Sequence, residues 1–108
     1  MRGPDDILPL VHQLKERIAD AYGERFAGLR LYGSYARGEA REDSDVDLLV
    51  LLHGEVDRWA EIDRLVDLSH DLELETGEIF SLLPRSVEEF ESGESFFFRN
   101  VHRDALAL

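Results

Sequence analysis

Apolar residues recur three or four positions apart over the first part of the chain, which is the spacing of one face of an α-helix. The residues in this pattern are Ile7, Leu10, Val11, Leu14, Ile18 and Ala21. Pro4 and the two acids after it suit a helix start, and Gly23 suits a C-cap, so the pattern predicts an amphipathic helix to about Tyr22. The period changes at Val46 to Leu52, where a near-continuous apolar run indicates a strand covered on both faces.

The middle of the chain continues the alternation of strand and helix patterns. A strand over Leu29 to Tyr32 is predicted to end at a glycine turn, and the polar stretch from Arg37 to Ser44 to form a loop, or a short helix and a loop. Helical spacing then predicts a helix from Val56 to Glu75, with Trp59 as a packing residue near its start. Thr76-Gly77 is predicted to end this helix.

The last part of the chain predicts one more strand and two short helices. Ile79 to Leu83 is expected to be a strand that Pro84 stops. Ser86 and the acid three residues later form a capping-box pattern for a helix over Val87 to Glu91, and the tail from Glu94 to Leu106 predicts a final short helix. The order α-β-β-α-β-α-α indicates one α/β (α+β) domain over residues 1–108, with two or three layers around a small sheet.

Composition narrows the classes of partner. The chain has 108 residues, no cysteine and a net charge of −12, so we expect no broad basic face for direct nucleic-acid binding. The acid excess is compatible with a solvated surface, with a basic protein partner, or with a nucleotide bound through metal ions. The longest apolar run, Leu48 to Leu52, predicts no membrane span, and the N-terminus lacks a signal-peptide pattern, so a cytoplasmic location is expected.

A chemical motif lies between Gly33 and Leu52. Gly33-Ser34 is followed after ten residues by Asp45 and Asp47, which share one face of a strand and repel each other unless a cation lies between them. Carboxylate oxygens with substrate phosphates are the ligands that Mg²⁺ prefers, and a glycine turn lets the backbone approach a phosphate. Arg37 and Arg41 could neutralise charge on a triphosphate, so nucleotidyl or phosphoryl transfer is the predicted reaction class.

Several candidates have simpler explanations. A bare Asp-x-Asp pair is usually structural or a calcium-type surface site. Glu39 stands where a Walker loop requires lysine, so no P-loop is predicted. The four histidines show no metal-ligand spacing and are expected at the surface or in packing. The aromatic cluster Phe96 to Phe98 is expected in the core, with a subunit interface as the alternative for at least one ring.

Taken together, the strand, the Gly-Ser turn, the ten-residue spacer and the Asp-x-Asp pair resemble the polymerase-β-type nucleotidyltransferase superfamily. The segment LYGSYARGEAREDSDVDLLV, from Leu31 to Val50, is most similar to the minimal nucleotidyltransferase (MNT) branch, and FFFRNVHRDALAL, from Phe96 to Leu108, resembles the end of many such proteins. The resemblance implies a small mixed β-sheet with helices packed on it. It also implies Mg²⁺ as cofactor and ATP as co-substrate.

Site roles follow from the resemblance. Gly33 and Ser34 are expected to contact nucleotide phosphates, with Arg37 and Ser44 as further nucleotide-binding candidates, and the paired aspartates to bind Mg²⁺ and act in catalysis. Active members of the superfamily usually carry a third carboxylate on the strand after the long helix. Here that strand contains no acid, and Glu78 at its mouth is either a partial substitute or a solvated strand-end residue.

The resemblance further implies the antitoxin half of a toxin–antitoxin pair, which transfers adenylate from ATP to a tyrosine of a HEPN-type ribonuclease toxin. One alternative is a degenerate nucleotidyltransferase that neutralises its partner by binding alone, which the missing acid favours. Another is an enzyme with a small-molecule acceptor, but such enzymes normally carry an added helical domain that the sequence lacks.

Overall fold

A mixed four-stranded sheet with helices on both faces organises the chain. The computed structural model describes residues 1–92 and 96–108, with the backbone alone at Phe96. Its elements are α1 Pro4–Tyr22, β1 Phe26–Tyr32, α2 Gly33–Ala36, β2 Val46–Leu52, α3 Arg58–Thr76, β3 Phe80–Ser86, α4 Val87–Ser92, α5 Phe96–Asp104 and β4 Leu106–Ala107, with a 3₁₀ turn at Gly23–Arg25. The predicted α/β class and small mixed sheet are confirmed.

The sheet has the strand order β3-β2-β1-β4. Strand β1 pairs antiparallel with β2, and this register sets Tyr32 opposite Asp47. Strand β3 pairs parallel with β2 and sets Ser81 beside the same aspartate. The two-residue β4 pairs antiparallel with β1. Three strands therefore meet at Asp47.

The continuous apolar run of β2 is explained by cover on both of its faces. Val46, Leu48, Val50 and Leu52 pack into the core formed with α1 and α3. The alternate residues Leu49 and Leu51 pack against α4 and α5. Alternation along a strand places Asp47 on this second face. The arrangement is the three-layer one of the two that the sequence allowed.

The ends of the long helices confirm the sequence signals. Helix α1 begins at Pro4, where Asp6 Oδ2 accepts a hydrogen bond from the Gly3 N–H at 2.7 Å. It ends at Gly23, and α3 ends at Gly77, both with positive φ angles (57° and 76°) that favour glycine. In the part of the chain that the structure describes, no helix is long and apolar enough to cross a membrane.

Strand β3 differs from its prediction because it continues through Pro84 to Ser86. Proline removes an N–H donor, which ends a central strand but is tolerated on an edge strand whose outer side has no partner. Strand β3 is such an edge, since within the described part of the chain it pairs with β2 alone. Sequence alone does not show which strand lies at an edge.

Trp59 is the clearest error among the packing predictions, since its side chain is 80% exposed. Helix α3 packs on the core through Leu65, Ser69 and Leu72. Trp59 lies six residues before Leu65, which places it about 120° around the helix from that face. The apolar residues Val66 and Leu74 are also exposed.

The C-terminal segment matches its prediction in part. Helix α5 begins at Phe96, and the predicted start at Glu94 lies outside the described residues. Phe98 is buried and Phe97 is 40% exposed, so the aromatic cluster is divided between core and surface. His102 is a packing residue, because its ring stacks on Phe90 with 3.9 Å between the ring centroids. Strand β4 was not predicted.

A buried carboxylate joins α3 to the end of α1. Glu61 is 7% exposed, and its Oε2 lies 2.9 Å from Arg25 Nη1 without the alignment of a hydrogen bond. Its Oε1 accepts a hydrogen bond from the Tyr22 hydroxyl at 3.4 Å. The charge of Glu61 is therefore compensated mainly by one arginine.

We expect Arg25→Ala to lower the free energy of unfolding by about 1–2 kcal/mol, because it leaves a buried carboxylate without its cation while the 44% exposure of Arg25 allows water to compensate in part. Urea denaturation measures the change. Glu61→Gln in the Arg25→Ala background should recover most of the loss. An equal loss for Arg58→Ala, at an exposed residue of α3, would contradict the ion-pair explanation.

Candidate active site

The two aspartates of the motif lie at the start of β2. Asp47 is the second residue of the strand and is partly buried, whereas Asp45 precedes the strand and is exposed. Alternation along β2 points Asp47 to the face of the sheet that carries α5, and Asp45 lies close enough to act on its charge. Within residues 1–92 and 96–108, neither carboxylate takes part in a hydrogen bond or an ion pair.

The charge of Asp47 is poorly compensated. Burial raises the pKa of its carboxyl group, the neighbouring Asp45 raises it further, and Arg37 opposes the rise. The ionised form is therefore disfavoured by lost hydration and by a like charge. A bound cation would reverse both effects.

Gly33 joins the two halves of the motif. It follows Tyr32 at the end of β1 with a φ of 73°, a backbone conformation that favours glycine. A Cβ at this position would overlap Asp47 Oδ2 and would lie 3.0 Å from its Cγ. The turn backbone is therefore held directly against the carboxylate, a contact that the sequence analysis did not predict.

The loop between the two halves contains the other predicted binding residues. Ser34 is partly buried in α2, and its carbonyl oxygen accepts a hydrogen bond from the Glu39 N–H at 2.9 Å. Arg37 is exposed, and its Nε lies 3.2 Å from Glu39 Oε2. Ser44 Oγ accepts a hydrogen bond from the Arg41 N–H at 2.9 Å, so this hydroxyl closes a turn just before Asp45.

Glu78 has structural partners. Its Oε1 lies 2.8 Å from Arg2 Nη2, and its Oε2 accepts a hydrogen bond from the Tyr35 hydroxyl at 3.4 Å. Among the described residues no group of three or more acidic, histidine or cysteine side chains could hold a metal ion, so Glu78 does not join Asp45 and Asp47 in one. The Glu78 side chain is only 16% exposed, so it is not a solvated strand-end residue either.

Ser81 occupies the position in β3 that faces the motif. Parallel pairing sets it beside Asp47, and residues in register on neighbouring strands point to the same face. From the sequence, only the acid at the mouth of this strand was a candidate, and Ser81 was missed. Only the strand register identifies it.

A cavity of about 240 Å³ opens beside the Gly33 turn. Tyr32, Gly33 and Arg37 line one side, and α5 lines the other with Phe97, Asn100 and Asp104. The rings of Tyr32 and Phe97 meet edge to face with 5.9 Å between centroids. From the sequence, Phe97 was expected only in the core or at an interface, and no motif marks Asn100 or Asp104 as site residues.

The residues present fit a hard divalent cation. Asp45 and Asp47 offer carboxylate oxygens without protein partners, and the first of these is open to solvent. Mg²⁺ is commonly held by one or two carboxylates, with water and substrate phosphates as the remaining ligands. The absence of a side chain at Gly33 lets the turn backbone come close to the Asp47 carboxylate.

Comparison with known proteins identifies the family of the chain. The chain is 34% identical over 99 residues to MJ0604 of Methanocaldococcus jannaschii, which is assigned as a protein adenylyltransferase, and the match covers 91% of this chain and 93% of that protein. A solved structure described as a minimal nucleotidyltransferase superposes with a TM-score of 0.62 at 29% identity and covers 94% of this chain and 95% of its own.

A second solved structure, a toxin–antitoxin complex with AMP-PNP, has a TM-score of 0.58 at 18% identity and covers 88% of this chain and 69% of its own, which shows a shared fold. The family model for the nucleotidyltransferase domain matches residues 11–105. The chain therefore belongs to the nucleotidyltransferase domain family.

Proposed function

We propose that this chain transfers adenylate from ATP, with Mg²⁺, to a tyrosine hydroxyl of a HEPN-type toxin and so acts as its antitoxin. The observation that carries the proposal is the contact of the Gly33 backbone with the Asp47 carboxylate, which makes no hydrogen bond or ion pair among the described residues. A backbone free of side-chain bulk beside an unpaired carboxylate suits a metal-bound phosphate.

Each residue of the site has a defined role in this proposal. Asp45 and Asp47 would hold Mg²⁺, which supplies positive charge that offsets the charge of the phosphates. Ser34 can donate its hydroxyl hydrogen to a phosphate oxygen. Arg37, at the rim of the cavity, is placed to pair with the triphosphate once it leaves Glu39.

The reaction forms one phosphorus–oxygen bond and breaks another. The acceptor oxygen attacks the α-phosphorus, and pyrophosphate leaves with the electrons of the broken bond. The hydroxyl proton must go to a base, because a tyrosine hydroxyl has a pKa near 10. Among the described residues no third carboxylate lies with the aspartate pair, so solvent or the partner would accept this proton.

The identity of the partner rests on similarity and charge. A relative that aligns over nearly the whole chain is assigned as a protein adenylyltransferase, and a toxin–antitoxin complex shares the fold. A net charge of −12 suits a basic protein surface. The alternative function, neutralisation by binding alone, is favoured by Ser81, which places a hydroxyl where a third acid would face Asp47.

Incubation with ATP, Mg²⁺ and the protein encoded by the neighbouring gene should add adenylate to that protein, as read by mass spectrometry. Asp45→Asn, or removal of Mg²⁺ with EDTA, should lower the rate about 100-fold or more, because the phosphate charge loses its counter-ion. Trp59→Ala is the control and should keep full activity. A partner that is inhibited but unmodified would support neutralisation by binding alone.

We expect Asp47→Asn to raise the free energy of unfolding at pH 7. The raised pKa means that the folded state holds the proton more tightly, so ionisation of the wild type costs stability as pH rises. The free energies of unfolding of variant and wild type should differ little below the ordinary aspartate pKa of 3.8. The difference should grow as pH rises through the raised pKa of Asp47 and stay constant above it. Thermal unfolding at several pH values without metal measures it.

With Mg²⁺ and ATP present, the wild type should become the more stable of the two proteins. A ligand that binds only the folded state stabilises the wild type and leaves Asp47→Asn unaffected. Equal stabilisation of both proteins by Mg²⁺ and ATP would show that Asp47 is not a metal ligand.

Ser81→Asp should increase adenylate transfer about tenfold or more, because it places a third carboxylate beside Asp47 that can accept the hydroxyl proton. Ser81→Asn has nearly the same size without the charge and should give no increase. Initial rates at saturating ATP measure the effect. No gain with Ser81→Asp in a folded protein would show that this position does not face the reacting hydroxyl.

A further inference from the structure

The cavity beside the Gly33 turn continues the candidate phosphate site. Gly33 contacts the Asp47 carboxylate and also lines the cavity. The cavity extends from this turn to α5. Any group in the cavity would therefore be next to a phosphate held at the turn.

The size of the cavity limits what it can hold. Small-molecule sites usually measure about 300–1,000 Å³, and this one is about 240 Å³. It can accommodate a base with its sugar but not a whole nucleoside triphosphate. The phosphates would then lie outside it, at the aspartate pair.

The residues that line the cavity indicate which part of a nucleotide would lie in it. Tyr32 and Phe97 present aromatic surface, and Phe97 is 40% exposed. Asp104 adds negative charge at the α5 end, although Arg103 Nε lies 3.6 Å from its Oδ1. A carboxylate disfavours phosphate there and can accept hydrogen bonds from sugar hydroxyls.

Asn100 supplies a polar group with a fixed orientation. Its Oδ1 accepts a hydrogen bond from Arg103 Nη2 at 3.1 Å, which leaves the amide N–H₂ group to donate to a ligand. Acceptor nitrogens on the edge of a base are suitable partners for such a donor. The cavity therefore combines an aromatic wall with a donor and an acceptor.

We propose that the nucleoside half of the substrate nucleotide binds in this cavity, with its base against Phe97 and its polar edges at Asn100 and Asp104. This inference rests on the proposed function, since it assumes a nucleotide whose phosphates lie at Gly33 and Asp47. It assigns substrate recognition to α5, the helix that the motif does not include. Phe97 and Asn100 are then specificity-determining residues.

Binding to the full chain, without a partner, tests this assignment. Isothermal titration calorimetry in the presence of Mg²⁺ uses two probes: a non-hydrolysable ATP analogue, and inorganic tripolyphosphate, which lacks a nucleoside. Phe97→Ala should lower the affinity for the ATP analogue about tenfold, the usual order for loss of an aromatic contact with a base. It should change the affinity for tripolyphosphate less than twofold. Gly33→Ala should lower the affinity for both probes.

Two further variants complete the test, one at the cavity and one control. Asn100→Ala removes a hydrogen bond and little packing. It should lower the affinity for the ATP analogue about threefold to tenfold and leave the affinity for tripolyphosphate unchanged. Trp59→Ala is the matched control, because it removes an exposed aromatic ring from α3, and both affinities should stay at the wild-type value. Circular dichroism confirms that each variant is folded.

The outcomes separate this inference from the proposed function. If the wild type binds both probes and the α5 variants bind the ATP analogue equally well, the nucleoside lies elsewhere and the inference fails alone. An equal loss for both probes in Phe97→Ala would also overturn it, because the effect would then not be specific to the nucleoside. If the wild type binds neither probe, the proposed function fails as well.

Discussion

The contact between the Gly33 backbone and the Asp47 carboxylate is the constraint on which the site depends. It exists because antiparallel pairing sets Tyr32 opposite Asp47, so that the turn after β1 meets the start of β2. Any Cβ at Gly33 would overlap the carboxylate, and the φ of 73° favours glycine independently. Two residues that are fourteen positions apart in sequence thus form one surface. Gly33 also lines the cavity, so the cavity adjoins this surface.

This arrangement has a cost that the rest of the fold offsets. A partly buried carboxylate beside a second carboxylate, with Arg37 as a weak counter-charge, is unfavourable without a cation. On the opposite face of the sheet, α1 and α3 bury a large apolar cluster. On the face that carries Asp47, apolar cover reaches Leu49 and Leu51, and the aspartate lies beyond it. The sheet therefore separates a stable side from a side that accepts unfavourable charge, as is common at functional sites.

Local signals in the sequence predicted the elements that local chemistry determines. Proline and glycine fixed the ends of α1, and the apolar run fixed β2 residue for residue. Errors arose where a distant partner decides the outcome. Pro84 stays within β3 because that strand lies at an edge, and Trp59 is exposed because nothing packs on its side of α3 within the described residues. Glu78 pairs with Arg2, a residue 76 positions away that no periodicity connects to it.

The same distinction separates the two halves of the site. The motif from Gly33 to Asp47 is continuous in sequence, so its candidate residues could be named from the sequence, whereas Ser81 and the α5 wall depend on strand register and helix packing. Their composition is informative: α5 offers groups that suit a nucleoside, but the position beside Asp47 offers a hydroxyl and no base. The described part of the chain is thus better equipped to bind a nucleotide than to activate an acceptor. An acceptor hydroxyl would then depend on its own protein, or on solvent, for deprotonation.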